Sequence, residues 1–298
     1  MAKKKNLNYI KKYKMSLEQL KKYYLELRQY EYNNNIPIKG IKIRKFIHKI
    51  PLTMVKLERF FLKEKVTVIA DKSQKNTKPI IYACTHIGGN DIQRVYEAIN
   101  SPAYLFLGDP GEAYRDLTSV LLFFNGAIYL ETDNKNDRYI AKQRAIELLN
   151  KGGNLYIFPE GAWNIFENLP VMELYNGTVK IAQETGADII PIAVEQIDNN
   201  FLVNIGKNIH IGKDDDINTA NNNLRDTLAT LKWEIWEKLG VYNRNEVACE
   251  TKESFQQNII KKCKYNFTVD DVYSTMYKNP NHISQDEVFN FVKQKTIY

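Results

Sequence analysis

From residue 66 onward, short apolar segments alternate with segments of helical period, and this alternation limits the chain to few architectures. Residues 66–70, 79–84, 103–107, 127–130, 154–158, 189–194 and 201–205 read as strands, with apolar residues at successive positions rather than at every second one. Such strands need cover on both faces. Residues 91–99, 137–150 and 177–185 supply it as helices. A further helix over 221–239 carries Leu224, Leu228, Leu231, Ile235 and Leu239 along one stripe. Strand and helix in alternation define an α/β sheet flanked by helices. With 298 residues, 44% of them apolar, the chain has the material for a sizeable core. Three parts are expected: a basic helical arm over 1–65, an α/β domain over 66–240 and a helical extension over 241–298. The arm has a capping box at Ser16 and Gln19 opening a helix to about residue 31, with Leu17, Leu20, Tyr24 and Leu27 on one face. A second helical stretch over 41–63 is expected to break at Pro51. The extension has its own capping box at 284–287.

Composition removes several classes. Cys84, Cys249 and Cys263 form neither a disulfide framework nor a CxxC pair, and His48, His86, His210 and His282 are too scattered for a zinc cluster. No apolar run reaches the roughly 18 residues of a membrane span. The lysine-rich start has no continuous apolar stretch behind it, so it does not read as a secretory signal. There is no GxSxG, no GxGxxG and no P-loop. Cys84 lies on a strand and is expected to be a buried thiol rather than a nucleophile. Trp233 and Trp236 are expected to pack. The expected location is cytoplasmic, against the inner face of the cell membrane.

That location follows from the charge. Residues 1–65 carry 18 Lys/Arg against 5 Glu, a net +13, while the rest carries 24 basic and 30 acidic groups, a net −6. A basic arm calls for an anionic partner. Its lysines are interleaved with Ile41, Ile43, Phe46, Ile47, Ile50, Leu52, Val55, Leu57, Phe60, Phe61 and Leu62. Apolar residues on one face and lysines on the other suit an anionic membrane surface better than nucleic acid, although the same stripe would also pack on a core.

Two motifs carry chemistry. After the strand ending near Cys84 come His86, Gly88, Gly89, Asn90 and Asp91. On a regular helix, His86 and Asp91 would point about 140° apart. The two glycines permit a reversal that lets the carboxylate face the imidazole. A carboxylate that fixes the tautomer of a histidine makes it a general base. The second motif, Phe158, Pro159, Glu160 and Gly161, places an acid and a glycine past the end of another apolar strand, where α/β sheets hold their ligands. Glu160 is a candidate acceptor of a substrate hydroxyl. The N–H groups near the glycines are candidate oxyanion donors.

His86-x4-Asp91 followed by the Phe-Pro-Glu-Gly block resembles the glycerolipid acyltransferases, the glycerol-3-phosphate and lysophosphatidate acyltransferases and their relatives. Two further blocks agree: Gly126, Ile128 and Leu130 at one strand, and Ile190, Pro191 and Ile192 at another, the latter preceded by Gly177 and Lys180. The resemblance covers about residues 66–213. It implies a mixed sheet flanked by helices, of the glycerol-phosphate acyltransferase type. It also implies transfer of a fatty acyl group, from acyl-CoA or acyl carrier protein, to an acceptor hydroxyl in lipid or phospholipid synthesis. His86 and Asp91 are then catalytic. Phe158, Pro159, Glu160, Gly161, Trp163, Arg138 and Lys180 are candidate substrate-binding residues. No metal, redox cofactor or nucleic acid is called for.

Three positions depart from the family pattern. Thr132, Trp163 and Tyr175 stand where relatives place cations that hold an acceptor phosphate. The departure points to a less charged lysolipid or glycolipid acceptor, with Arg138 or Lys180 as possible compensation. A thioesterase, and a non-catalytic lipid-binding protein on the same fold, are the alternatives.

Overall fold

A computed structural model describes residues 9–74, 78–108, 111, 114–115, 117–166, 169–240, 252–262 and 266–278. Cys249, Cys263, His282 and the capping box at 284–287 lie outside the described residues. The N-terminal part is helical: α1 (Tyr9–Lys14), α2 (Leu17–Asn33), α3 (Ile41–Ile47) and α4 (Lys49–Phe61). The sheet is built from β1 (Lys65–Asp71), β2 (Ile80–Cys84), β3 (Tyr104–Gly108), β4 (Ala127–Leu130), β5 (Leu155–Ile157), β6 (Asp188–Ile197) and β7 (Asn200–Ile205). Between and after the strands run α5 (Asp91–Ile99), α6 (Leu117–Asn125), α7 (Lys135–Asn150), α8 (Gly177–Thr185) and α9 (Ile217–Leu239). Two helices close the described chain, α10 (Lys252–Lys261) and α11 (Val269–Thr275).

The seven strands form one sheet in the order β1-β7-β6-β2-β5-β3-β4. Five run parallel; β7 turns back antiparallel on β6, and β1 follows β7. The sheet is therefore mixed, as the resemblance implied. Alternation along β2 divides the core in two. Ile81 and Ala83 face the layer of Leu148, Leu149, Val179, Leu224 and Leu228 from α7, α8 and α9. Ile80, Tyr82 and Cys84 face Leu52 and Val55 of α4 and Val95 and Ile99 of α5. Burial on both sides explains the unbroken apolar runs.

The N-terminal helices are packed on this body rather than trailing from it. The Ser16–Gln19 capping box forms as expected. Leu20 and Leu27 are buried, while Leu17, expected on the same face, is exposed. Tyr24 stacks on Tyr114 with ring centroids 3.8 Å apart. Arg28 makes a bidentate pair with buried Asp137 of α7. The expected break at Pro51 falls earlier, at His48 between α3 and α4. Pro51 sits in the first turn of α4, where the N–H it lacks has no intrahelical partner to lose. The apolar stripe divides: Ile41, Leu52 and Val55 are buried, whereas Ile43, Phe46, Ile50, Leu57, Phe60, Phe61 and Leu62 face outward. Trp233 also departs from expectation, standing 53% exposed on α9.

Candidate active site

β2 and β5 are neighbours in parallel register, with Tyr82 opposite Tyr156 and Ala83 opposite Ile157. Their C-terminal ends therefore deliver the two motifs side by side. His86 follows β2, and Phe158 to Gly161 follow β5. Gly88 and Gly89 take φ values of 85° and 63°, the left-handed region open to glycine. That reversal carries Asp91, the first residue of α5, back against His86.

Asp91 Oδ2 accepts from three donors: His86 Nδ1 at 2.7 Å, Ile87 N at 2.7 Å and Gly88 N at 3.0 Å. Asp91 is fully buried, and the His86 side chain is 12% exposed. A carboxylate can only accept, so Nδ1 of the neutral ring carries the proton and Nε2 keeps its lone pair. Among the described residues nothing bonds Nε2. Phe158 stacks under the imidazole with centroids 4.1 Å apart and planes 26° apart. Trp163 meets it edge-on at 6.0 Å. The ring is thus clamped with one nitrogen presented outward, the arrangement of a positioned general base.

Glu160 is turned away from solvent. It is fully buried, accepting from His86 N at 3.0 Å through Oε1 and from Met172 N at 2.9 Å through Oε2. Burial raises its pKa, partly offset by these two N–H groups and by the charges of His86 and Lys232. The sequence reading placed Glu160 on a substrate hydroxyl; with both oxygens committed to backbone, it instead fixes the loop that carries His86. Asn164 N adds a bond to the His86 carbonyl at 2.7 Å. Gly161, with φ of 72°, lies against the Tyr175 ring, where a side chain would collide.

Two of the glycine N–H groups expected near an oxyanion are also occupied. Gly88 N bonds Asp91, and Gly161 N bonds the Phe158 carbonyl at 3.1 Å. Gly89 N has no acceptor among the described residues. Arg138 donates to the Thr132 carbonyl, and its charge opposes the burial that raises the Tyr175 hydroxyl. It therefore stands close to Tyr175. Lys180 lies half-buried on α8 and forms no ion pair among the described residues. Cys84 is fully buried, its thiol pushed well up by burial, which accords with a structural strand position.

Sequence reasoning missed two supports. Lys232 of α9 is buried, donating to the Val194 carbonyl at 2.5 Å and pairing with Glu195 at 3.0 Å. Arg94 of α5 is wholly buried, bonded to Glu64 at 2.5 Å, Glu58 at 3.2 Å and the Val55 carbonyl at 3.1 Å. Neither has a local signature, because every partner of Lys232 and Arg94 is remote in sequence. His210 pairs with Asp188 at 3.1 Å. Asp188 opens β6, which lies parallel to β2, so this second pair sits at the opposite end of the sheet from His86.

A mixed α/β sheet thus brings the His–Asp pair and the Phe-Pro-Glu-Gly turn to adjacent strand ends. Residues 65–195 match the Acyltransferase family model. A 1-acyl-sn-glycerol-3-phosphate acyltransferase of Borreliella burgdorferi is 29% identical over 87 residues, which is 29% of this chain and 34% of that protein. The alignment thus spans about a third of that curated relative's length. The crystal structure of the 1-acyl-sn-glycerophosphate (LPA) acyltransferase PlsC from Thermotoga maritima shares the fold with a TM-score of 0.56. That match covers 76% of this chain and 95% of the other at 14% identity.

Proposed function

We propose that this protein transfers a fatty acyl group from a thioester, acyl-CoA or acyl carrier protein, to the hydroxyl of a lysolipid or glycolipid acceptor. The observation that carries the reading is the His86 ring, protonated toward buried Asp91 and open at Nε2. Nε2 removes the acceptor proton as the oxygen attacks the thioester carbonyl. Asp91 stabilises the imidazolium that forms. The imidazolium then returns its proton to the departing thiolate, so protons balance over the cycle. No metal or redox group enters this scheme. The relatives named for 1-acylglycerol phosphate support a glycerolipid acceptor. Thr132, Trp163 and Tyr175, none of them cationic, favour an acceptor with little charge at those positions.

The reaction belongs at an anionic membrane surface in this reading. Ile43, Phe46, Phe60 and Phe61 are 66%, 88%, 72% and 76% exposed, among the exposed lysines 42, 45, 49, 56 and 63. Among the described residues no helix is long and apolar enough to cross a membrane. An interfacial face of this kind would set the protein on a bilayer rather than in it.

The test measures CoA release from palmitoyl-CoA with and without monoacylglycerol, lysophosphatidate and glycerol-3-phosphate. Acceptor-dependent release is expected, slow with glycerol-3-phosphate. His86→Ala should lower it by about 10²–10⁴. Acceptor-independent release would make the protein a thioesterase. Normal turnover by folded His86→Ala protein would remove His86 as the base.

A further inference from the structure

The family match ends at residue 195, yet the loop carrying His86 is walled by residues from far beyond it. Ile259 of α10 is 8% exposed and faces Gly88: a methyl group on Gly88 would lie 3.3 Å from Ile259 Cγ2 and 3.6 Å from the Trp163 ring. Ile259 and Val272 close a separate apolar cluster over Ala162, Ile165 and Met172. Phe267 meets Trp163 edge-on, with centroids 5.4 Å apart and planes at 79°. Tyr277 packs on Tyr175 at 5.1 Å, and the Tyr175 hydroxyl donates to the Thr275 carbonyl at 2.8 Å. The helix pair α10–α11 is thus seated on the segment that follows β5, at the catalytic end of the sheet.

Trp163 is where these contacts converge. Phe267 and the cluster of Ile259 pack against it, and it meets the His86 ring near a right angle. Among the described residues its indole N–H has no acceptor. The molecule that yields its proton to Nε2 is the acceptor, and Trp163 edges the ring that carries Nε2. We infer that α10–α11 is the acceptor-side wall of the active site, with Phe267 and Ile259 as positioning residues that fix Trp163 for acceptor recognition. This rests on the acyl-transfer reading. The wall offers an aromatic face and one neutral donor, which suits the hydroxyls and carbons of an uncharged glycerol or sugar head. Lys262, the α10-side cation beside Gly89, is turned to the Gln196 side chain at 3.4 Å.

The experiment uses the full chain, palmitoyl-CoA as donor, and monoacylglycerol or lysophosphatidate as acceptor. Loss of one edge-on aromatic contact corresponds to about a three- to tenfold change in an equilibrium. Phe267→Ala should raise the acceptor KM by that factor, leave the donor KM and the pH profile of kcat unchanged, and be rescued by Phe267→Tyr. Should Phe267→Ala fail to fold, Phe267→Leu keeps the bulk, loses the ring edge and is read in the same way. An unchanged acceptor KM, or donor and acceptor KM rising together, overturns the inference while acyl transfer stands. Absence of transfer by the wild-type protein overturns the underlying reading, and this inference with it.

Discussion

Asp91→Asn separates the role of a charge from the role of a shape. The carboxylate is fully buried and takes three donors on one oxygen, while Oδ1 has no hydrogen-bond partner among the described residues. An amide can place its oxygen at the Oδ2 position and its NH₂ at the Oδ1 position without repacking. Hydrogen bonds to a charged group contribute about 1.5–3 kcal/mol and neutral ones about 0.5–1.5, so three bonds lose roughly 3 kcal/mol together. Removing a buried charge returns several kcal/mol of desolvation. These terms oppose, and the melting temperature should move by only a few degrees. Catalysis has no such offset. At about 4 Å between charge centres and an effective dielectric constant near 20, carboxylate and imidazolium attract by about 4 kcal/mol. Losing that attraction slows proton removal by about 10³, at 1.36 kcal/mol per decade. The assay is acceptor-dependent CoA release under saturating substrates, alongside a thermal melt. A folded Asp91→Asn protein with kcat within tenfold of wild type would refute imidazolium stabilisation by Asp91.

Glu160→Gln should lower both melting temperature and kcat, because an amide nitrogen cannot accept from backbone N–H; one lost bond to a charged acceptor amounts to about 1.5–3 kcal/mol. An unshifted melt would show that the two N–H groups do not depend on Glu160. Glu195 should contribute to acid lability. Burial pushes its pKa up, but Lys232 and the Trp236 N–H outweigh this and hold it below the ordinary 4.5. A depressed carboxylate stabilises the fold above its unfolded value, and that stability is lost as pH falls. Urea midpoints should therefore drop below about pH 4.5 and drop less in Glu195→Gln, whereas parallel acid profiles for the two proteins would contradict this. Co-sedimentation with anionic vesicles should weaken with salt and fall sharply in Phe46→Glu/Phe61→Glu, since each cation near such a surface contributes about 1 kcal/mol and the rings bury apolar area. Unchanged binding by that variant would place the membrane contact elsewhere.

How far the chain could be read depended on the range of the forces involved. The central strands were legible because burial on both faces leaves an unbroken apolar signature, as in Ile80 to Cys84, while edge strand β1, largely exposed, was legible from its run of Val, Ile and Ala. Helix α6 is absent from the sequence reading, since its Leu, Val and Phe residues show no clear stripe. His86 and Asp91 were legible because their contact is local and the glycines that permit it lie between them. The direction of Glu160 was not: its partners Met172 and His86 stand 12 and 74 positions away. Strand-end spacing says that a carboxylate reaches the same end of the sheet as His86. Only tertiary packing decides whether it points out to a ligand or back into the loop. Within the extension expected over 241–298, α10 and α11 are helical, but helicity alone says nothing of what α10 covers.

The loop that carries His86 and Asp91 is also tied to the outward-facing helix. Asn90, just before Asp91, donates to Glu64 at 2.8 Å, and Arg94 of α5 binds Glu64 and Glu58 and reaches the Val55 carbonyl. Leu52 and Val55 of α4 lie in the same core cluster as Cys84 and Phe158, the residues just below and beneath His86. Ile50, Leu57, Phe60 and Phe61 of that helix point away from the core. A single helix therefore has its inner face on the back of the site and its outer face available to a lipid surface. With that outer face in a bilayer, the distance from the interface to Nε2 would be fixed by packed side chains and buried ion pairs, not by a flexible linker. On the proposed reading, a lysolipid acceptor would keep its chain in the bilayer and offer only its head group, so a base held at constant height would need to recognise no more than that head.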